Sequence, residues 1–144
     1  LDTVGKIDEI EGSRNALINA GLTPVEALAY PFGDYDDEVK SLTASAGFTS
    51  GRSVDRGFND KIADHYALKI QQVGRDTSVA DINAWIDQAA ASNTWLILMF
   101  HQVNDDSSAT LGITEPELQD VVNYATGADV DILTVGDGVS LLDI

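Results

Sequence analysis

The chain has 144 residues and a mass of 15.4 kDa, which is one domain's worth of sequence with enough apolar material for a core. Twenty-four acidic against 8 basic residues give a net charge of −16, a surface that repels nucleic acid and anionic membranes. Cysteine is absent, which excludes both a disulfide framework and a thiolate metal site. Aspartate outnumbers glutamate and lysine is scarce. Charge of this kind keeps a chain dispersed, and we expect a halophilic source, with an acidic secreted domain as the alternative. No signal peptide or long apolar span is written in the sequence, and the chain begins at Leu1. The expectation is a soluble mature product or a fragment.

In chain order, Val4, Ile7, Ile10, Leu17 and Ile18 recur at helical spacing and predict a helix from Thr3 to Ala20, ended by Gly21. Thr23-Pro24 breaks the chain before a short strand, Ala27 to Tyr30. Pro31-Phe32-Gly33-Asp34 turns off its end, and a helix follows from about Asp36 with Val39 and Leu42 inward and Gly47 as its stop. Phe48 to Arg52 reads as a strand, Ser53 to Asp64 as a loop, and Tyr66 to Val73 as a further strand. Ser78, with Asp81 three residues on, caps a helix whose buried stripe is Ile82, Trp85, Ile86 and Ala89.

The apolar run from Trp95 to His101 predicts a central strand buried on both faces, with Trp95, Ile97, Met99 and His101 on one of them. A polar loop, Gln102 to Gly112, leads to Thr114-Glu115-Pro116-Glu117, a capping box with Ile113 and Leu118 as its hydrophobic staple. That helix is expected to reach about Ala125. A last strand, Asp131 to Val135, and a short helix, Gly138 to Leu142, close the chain. The alternation of strand and helix argues an α/β fold with a parallel sheet, open or barrel-like.

Two strand ends carry candidate chemistry. Pro31-Phe32-Gly33 brings backbone N–H groups to the end of a strand, though taken alone it is explained better as a plain turn with a capping aspartate. His101 ends the central strand, where α/β folds place their sites, though a lone histidine there also serves as a hydrogen-bonded core residue.

Taken together, Tyr30-Pro31-Phe32-Gly33-Asp34-Tyr35-Asp36, then a helix and Ala46-Gly47-Phe48, then an apolar strand ending in Phe100-His101, resemble the polysaccharide deacetylases of carbohydrate esterase family 4. The likeness covers residues 1–144 as a single domain corresponding to the C-terminal part of the family's domain. It implies a partial (β/α) barrel, from a family barrel of about seven strands. It further implies that the Phe32 amide stabilises an oxyanion and that His101 is the general acid that protonates the departing amine. Tyr30 and Pro31 would shape the substrate site, and Ile97 and Met99 would line a pocket for the acetyl methyl group.

The departures are equally specific. The family's arginine two positions before the proline is Ala29 in this chain, and its Asp/Trp motif has only Asp76 as a positional candidate, with Trp85 reading as core. The family's Asp-Asp pair and His-x-x-x-His motif have no counterpart; the histidines are His65, which reads as a surface residue, and His101. Zinc chemistry of this kind needs about three protein ligands and an activated water. Asp34, Asp36 and Asp37 read as a helix-start charge cluster rather than a cation site.

No metal ligand is therefore assigned in this chain, although zinc or another divalent metal is expected in the intact family domain. The expected function is polysaccharide deacetylase-like: metal-dependent hydrolysis of N-acetyl groups on a polysaccharide in the parent family, with this chain alone inactive. The alternative is a non-catalytic carbohydrate-binding or structural subunit of a cell-surface assembly. Expected partners are an N-acetylated glycan and either a second copy or a chain completing the barrel, with no nucleic acid and no membrane span. The expected location is extracellular or at the cell surface.

Overall fold

The computed structural model describes residues 1–104 and 111–142. The fold is α/β: strands alternate with helices along the chain and the strands of each pair run parallel. The chain divides into two compact units, one of residues 1–55, 62–68 and 134–144, the other of residues 56–61 and 69–133.

The first unit opens with helix α1 (Thr3–Asn19), whose N-cap Asp2 accepts the Gly5 amide at 2.9 Å. The expected stripe is only shallowly used: no α1 residue is buried, and Val4 and Leu17 are exposed. Strand β1 (Ala27–Ala29) pairs in parallel with β2 (Ser50–Arg56), in the register Ala27–Ser50, Leu28–Gly51, Ala29–Arg52. Between them lies α2 (Asp37–Ser45), capped by Asp36, which accepts the Val39 amide at 2.8 Å. Helices α1 and α2 pack together, and Lys6 of α1 holds Glu38 at 2.6 Å and Asp36 at 3.4 Å.

Helix α5 (Val135–Leu142) closes this unit, and here an expectation fails. The segment Asp131 to Thr134 is not a strand: Ile132 and Leu133 are exposed, and Thr134 begins the helix by accepting the Asp137 amide at 3.2 Å. Apolar residues alone make no strand without a partner to satisfy their backbone. The expected loop from Ser53 is corrected as well, because β2 runs on to Arg56. Ser53 is buried there, its hydroxyl donating to the Leu68 carbonyl at 3.1 Å.

Strand β3 (Leu68–Gln72), which belongs to the second unit from Lys69 onward, pairs in parallel with β4 (Leu98–Met99), with Gln71 opposite Leu98 and Gln72 opposite Met99. Helix α3 (Val79–Ser92) starts at a Ser78/Asp81 capping box and ends at Asn93 in the left-handed region. Helix α4 (Glu115–Gly127) starts at the Thr114/Glu117 box. The core of this unit is Val73, Ile82, Ile86, Ile113 and Val121, with Leu96, Leu98, Phe100 and Leu118 packed against it. Ile113 and Leu118 thus sit as the staple requires, and α3 packs on α4, with Tyr124 Oη donating to the Asp87 carboxylate at 2.8 Å.

The central run is not the strand the sequence predicts. Regular pairing is confined to Leu98–Met99, although the carbonyls of Ile97 and Met99 accept the Gln71 and Val73 amides and Trp95 bridges Asn59. Only Met99 of the run is buried, so it is not covered on both faces. Asn59 secures the segment before it: its side chain accepts the Lys69 amide and donates to the Lys69 carbonyl, both at 2.9 Å. The expected loop after His101 holds two short parallel strands, β5 (Gln102–Val103) and β6 (Gly112–Ile113); its residues 105–110 lie outside the described residues.

Candidate functional site

The end of β1 is tightly specified. Tyr30 is 2% exposed, its amide donates to the Arg52 carbonyl at 3.1 Å and its hydroxyl to the Tyr66 carbonyl at 2.9 Å. Its ring stacks on Tyr35 with centroids 5.3 Å apart. Burial raises the phenol pKa above its ordinary value. Gly51 underlies this ring: a Cβ there would stand 2.2 Å from Tyr30 Oη.

Pro31 then opens a single 3-10 turn, Pro31–Gly33, closed by Gly33 N–H to the Tyr30 carbonyl (2.8 Å) and Asp34 N–H to the Pro31 carbonyl (3.2 Å). Neither bond uses the Phe32 amide. Phe32 adopts φ 58° and ψ 6°, a left-handed conformation that costs a residue with a Cβ roughly 1–2 kcal/mol, and its ring is fully exposed. Gly33 also has positive φ, and a Cβ on it would fall 2.3 Å from Val54 Cγ2. The turn is thereby held down on Val54 while Phe32 is held outward.

The carboxylates after the turn are structural. Asp36 caps α2 and its pKa is lowered by the Val39 amide; Asp37 pairs with Lys40 at 3.1 Å. Lys40 also holds Asp64 at 3.0 Å, and that bond raises its pKa. Tyr35 Oη donates to Asp55 at 2.9 Å, which raises the Tyr35 pKa.

Ile97, Met99 and His101 belong to the other unit. Met99 is buried and Ile97 half-buried, with Leu96, Leu98 and Phe100 of the alternate face packed on the α3/α4 core. His101 is exposed in a bend between β4 and β5. His65, expected at the surface, is half-buried, and its carbonyl accepts the Gly51 amide at 2.8 Å. Asp76 is exposed and Trp85 packs against the core of the second unit.

Among the described residues no three His, Asp or Glu side chains are grouped to hold a metal ion, and no helix is long and apolar enough to cross a membrane. No family model, curated protein or solved structure matches this chain. Tyr30, Pro31 and Phe32 are thus brought together at the end of β1, and Ile97, Met99 and His101 lie along one segment after α3. The sequence ended this strand at Arg52 and gave that residue no role, and it passed over Val54 and Asp55 because polar residues without alternation hid the second half of β2.

Proposed function

We propose that the chain is a polysaccharide deacetylase-like domain of the extracellular space or cell surface, of the partial (β/α) barrel type, and that its Pro31–Gly33 turn recognises the acetyl group of an N-acetylated glycan. One observation carries the reading: Phe32 is held at positive φ with its amide left out of the bonds that close the turn and its ring fully exposed. A backbone N–H fixed in advance is the donor an acetyl carbonyl needs, and one that strengthens as the oxygen gains charge. The exposed ring offers an apolar surface to the C–H face of a sugar.

The resemblance assigns the acid role to His101 and the acyl-methyl contact to Ile97 and Met99. Hydrolysis in the family depends on a metal, and the described residues do not fit one. For the chain by itself the expectation is acetyl recognition without turnover. The same observation favours a second reading, a non-catalytic glycan-binding or structural subunit.

Calorimetric titration with chitopentaose and with cellopentaose tests acetyl recognition, since the two share a backbone and differ in the acetamido group. We expect chitopentaose to bind about tenfold tighter, or ~1.4 kcal/mol, and Gly33→Ala to lose the difference. Equal binding of the two sugars, or none, removes the reading. Acetate release by the longest natural product containing this chain, lost in His101→Ala, separates the deacetylase from the scaffold. Binding without release in either form selects the scaffold.

A further inference from the structure

We infer that Arg52 binds a carboxylate of the glycan, so that the surface beside the Phe32 turn selects acidic N-acetylated saccharides, those carrying uronate; this rests on the acetyl-recognition reading above. Arg52 stands opposite Ala29 in the parallel β1–β2 pair, and residues in register share a face of the sheet. The glycines identify that face. Gly51 looks toward the buried Tyr30 ring, so its neighbours Ser50 and Arg52, and Val54 beyond, look the opposite way. Gly33 rests on the side chain of Val54, which brings the Pro31–Gly33 turn down on the Arg52 side. Its register partner on β1, Ala29, carries only a methyl group and no polar side chain.

Among the basic side chains, Lys6 and Lys40 each hold two carboxylates, whereas Arg14, Arg52, Arg56 and Lys69 hold none among the described residues. Half-buried Arg52 pairs with none among the described residues; its one polar contact is Nη1 donating to the Ser53 carbonyl at 3.3 Å. A guanidinium carries five N–H donors in a planar fork, a shape that matches a carboxylate in two parallel bonds. On the same face Ser50 is 0% exposed and its hydroxyl has no partner among the described residues, a second polar group left unmatched. An acetamido group alone would leave the arginine charge uncompensated. A net charge of −16 repels anions in general, so a carboxylate-bearing ligand needs a local cation of this kind.

The test uses a hyaluronan hexasaccharide, which alternates N-acetylglucosamine with glucuronate, and its methyl ester, which removes only the charge. Both are titrated calorimetrically into the wild-type chain, Arg52→Gln and Arg52→Lys at one fixed ionic strength, with circular dichroism to check folding. We expect the wild type to bind the acid about tenfold tighter than the ester. Arg52→Gln should lose that preference with ester affinity unchanged, and Arg52→Lys should keep part of it, having the charge without the fork. Equal binding of acid and ester by the wild type overturns the inference, as does a preference that survives in Arg52→Gln. Should Arg52→Gln fail to fold, the wild-type comparison and Arg52→Lys decide. Chitopentaose binding without a preference for the acid sinks this inference alone; no binding of any of these sugars sinks the acetyl reading along with it.

Discussion

The ends of β1 and β4 both carry candidate site residues, and they are held to different degrees. At the end of β1, Tyr30 is buried, stacked and hydrogen-bonded through both its amide and its hydroxyl, and Gly33 and Gly51 leave no room for a side chain. At the end of β4, His101 is exposed, and no hydrogen bond or ion pair joins its side chain to a described residue. A donor that stabilises developing charge works only if it is fixed before the reaction. An imidazole is oriented by the acceptor on its other nitrogen. The β1 end is fixed by these contacts, whereas no partner among the described residues orients His101.

The sharpest way to break this contrast is Gly51→Ala. Its Cβ would meet the Tyr30 hydroxyl at 2.2 Å, against a buried ring held by the Tyr66 carbonyl and by Tyr35. We expect a loss of about 3 kcal/mol in urea denaturation. Tyr30→Phe comes next, at about 1.5 kcal/mol, because the Tyr66 carbonyl loses its donor. The same substitution should change the alkaline limb of the stability curve. The folded phenol titrates above the unfolded value of 10.0, so its contribution is complete below that pH and is lost as pH rises through the folded value. Tyr30→Phe should flatten this slope, and denaturation midpoints across the alkaline range would show it.

Phe32→Gly should have the opposite sign. Relief of the left-handed strain exceeds the entropy cost of glycine by roughly 0.5 kcal/mol, so the variant should melt slightly higher while binding chitopentaose more weakly. A drop in stability would show that the exposed ring is structural. His101→Ala should produce the smallest effect, a stability change within about 0.5 kcal/mol as for other exposed residues. A larger loss would mean that His101 is a packed residue after all, and the contrast between the two strand ends would close.

Legibility in the sequence followed the range of the interactions. The starts of α2, α3 and α4 were readable because Asp36, Ser78 and Thr114 bond to amides three residues ahead. The Pro31–Gly33 turn was readable from its residue types. That Phe32 would be the residue at positive φ was not, nor that Gly33 would meet Val54 some twenty positions later. Arg52 was invisible as a candidate because its meaning comes from its register with Ala29 and from the carboxylate it does not have.

By itself the sequence determined where the helices lie and the acidic character of the chain, because these follow from local hydrogen bonds, apolar period and charge. Tertiary structure decided which extended segments became strands. Ser53 and Asp55 are polar, yet β2 runs through them because its backbone finds neighbouring strands; Ile132 and Leu133 are apolar, yet no strand forms there and Thr134 caps a helix instead. A strand satisfies its backbone only across space, and a linear pattern of side chains does not record which neighbour will be there.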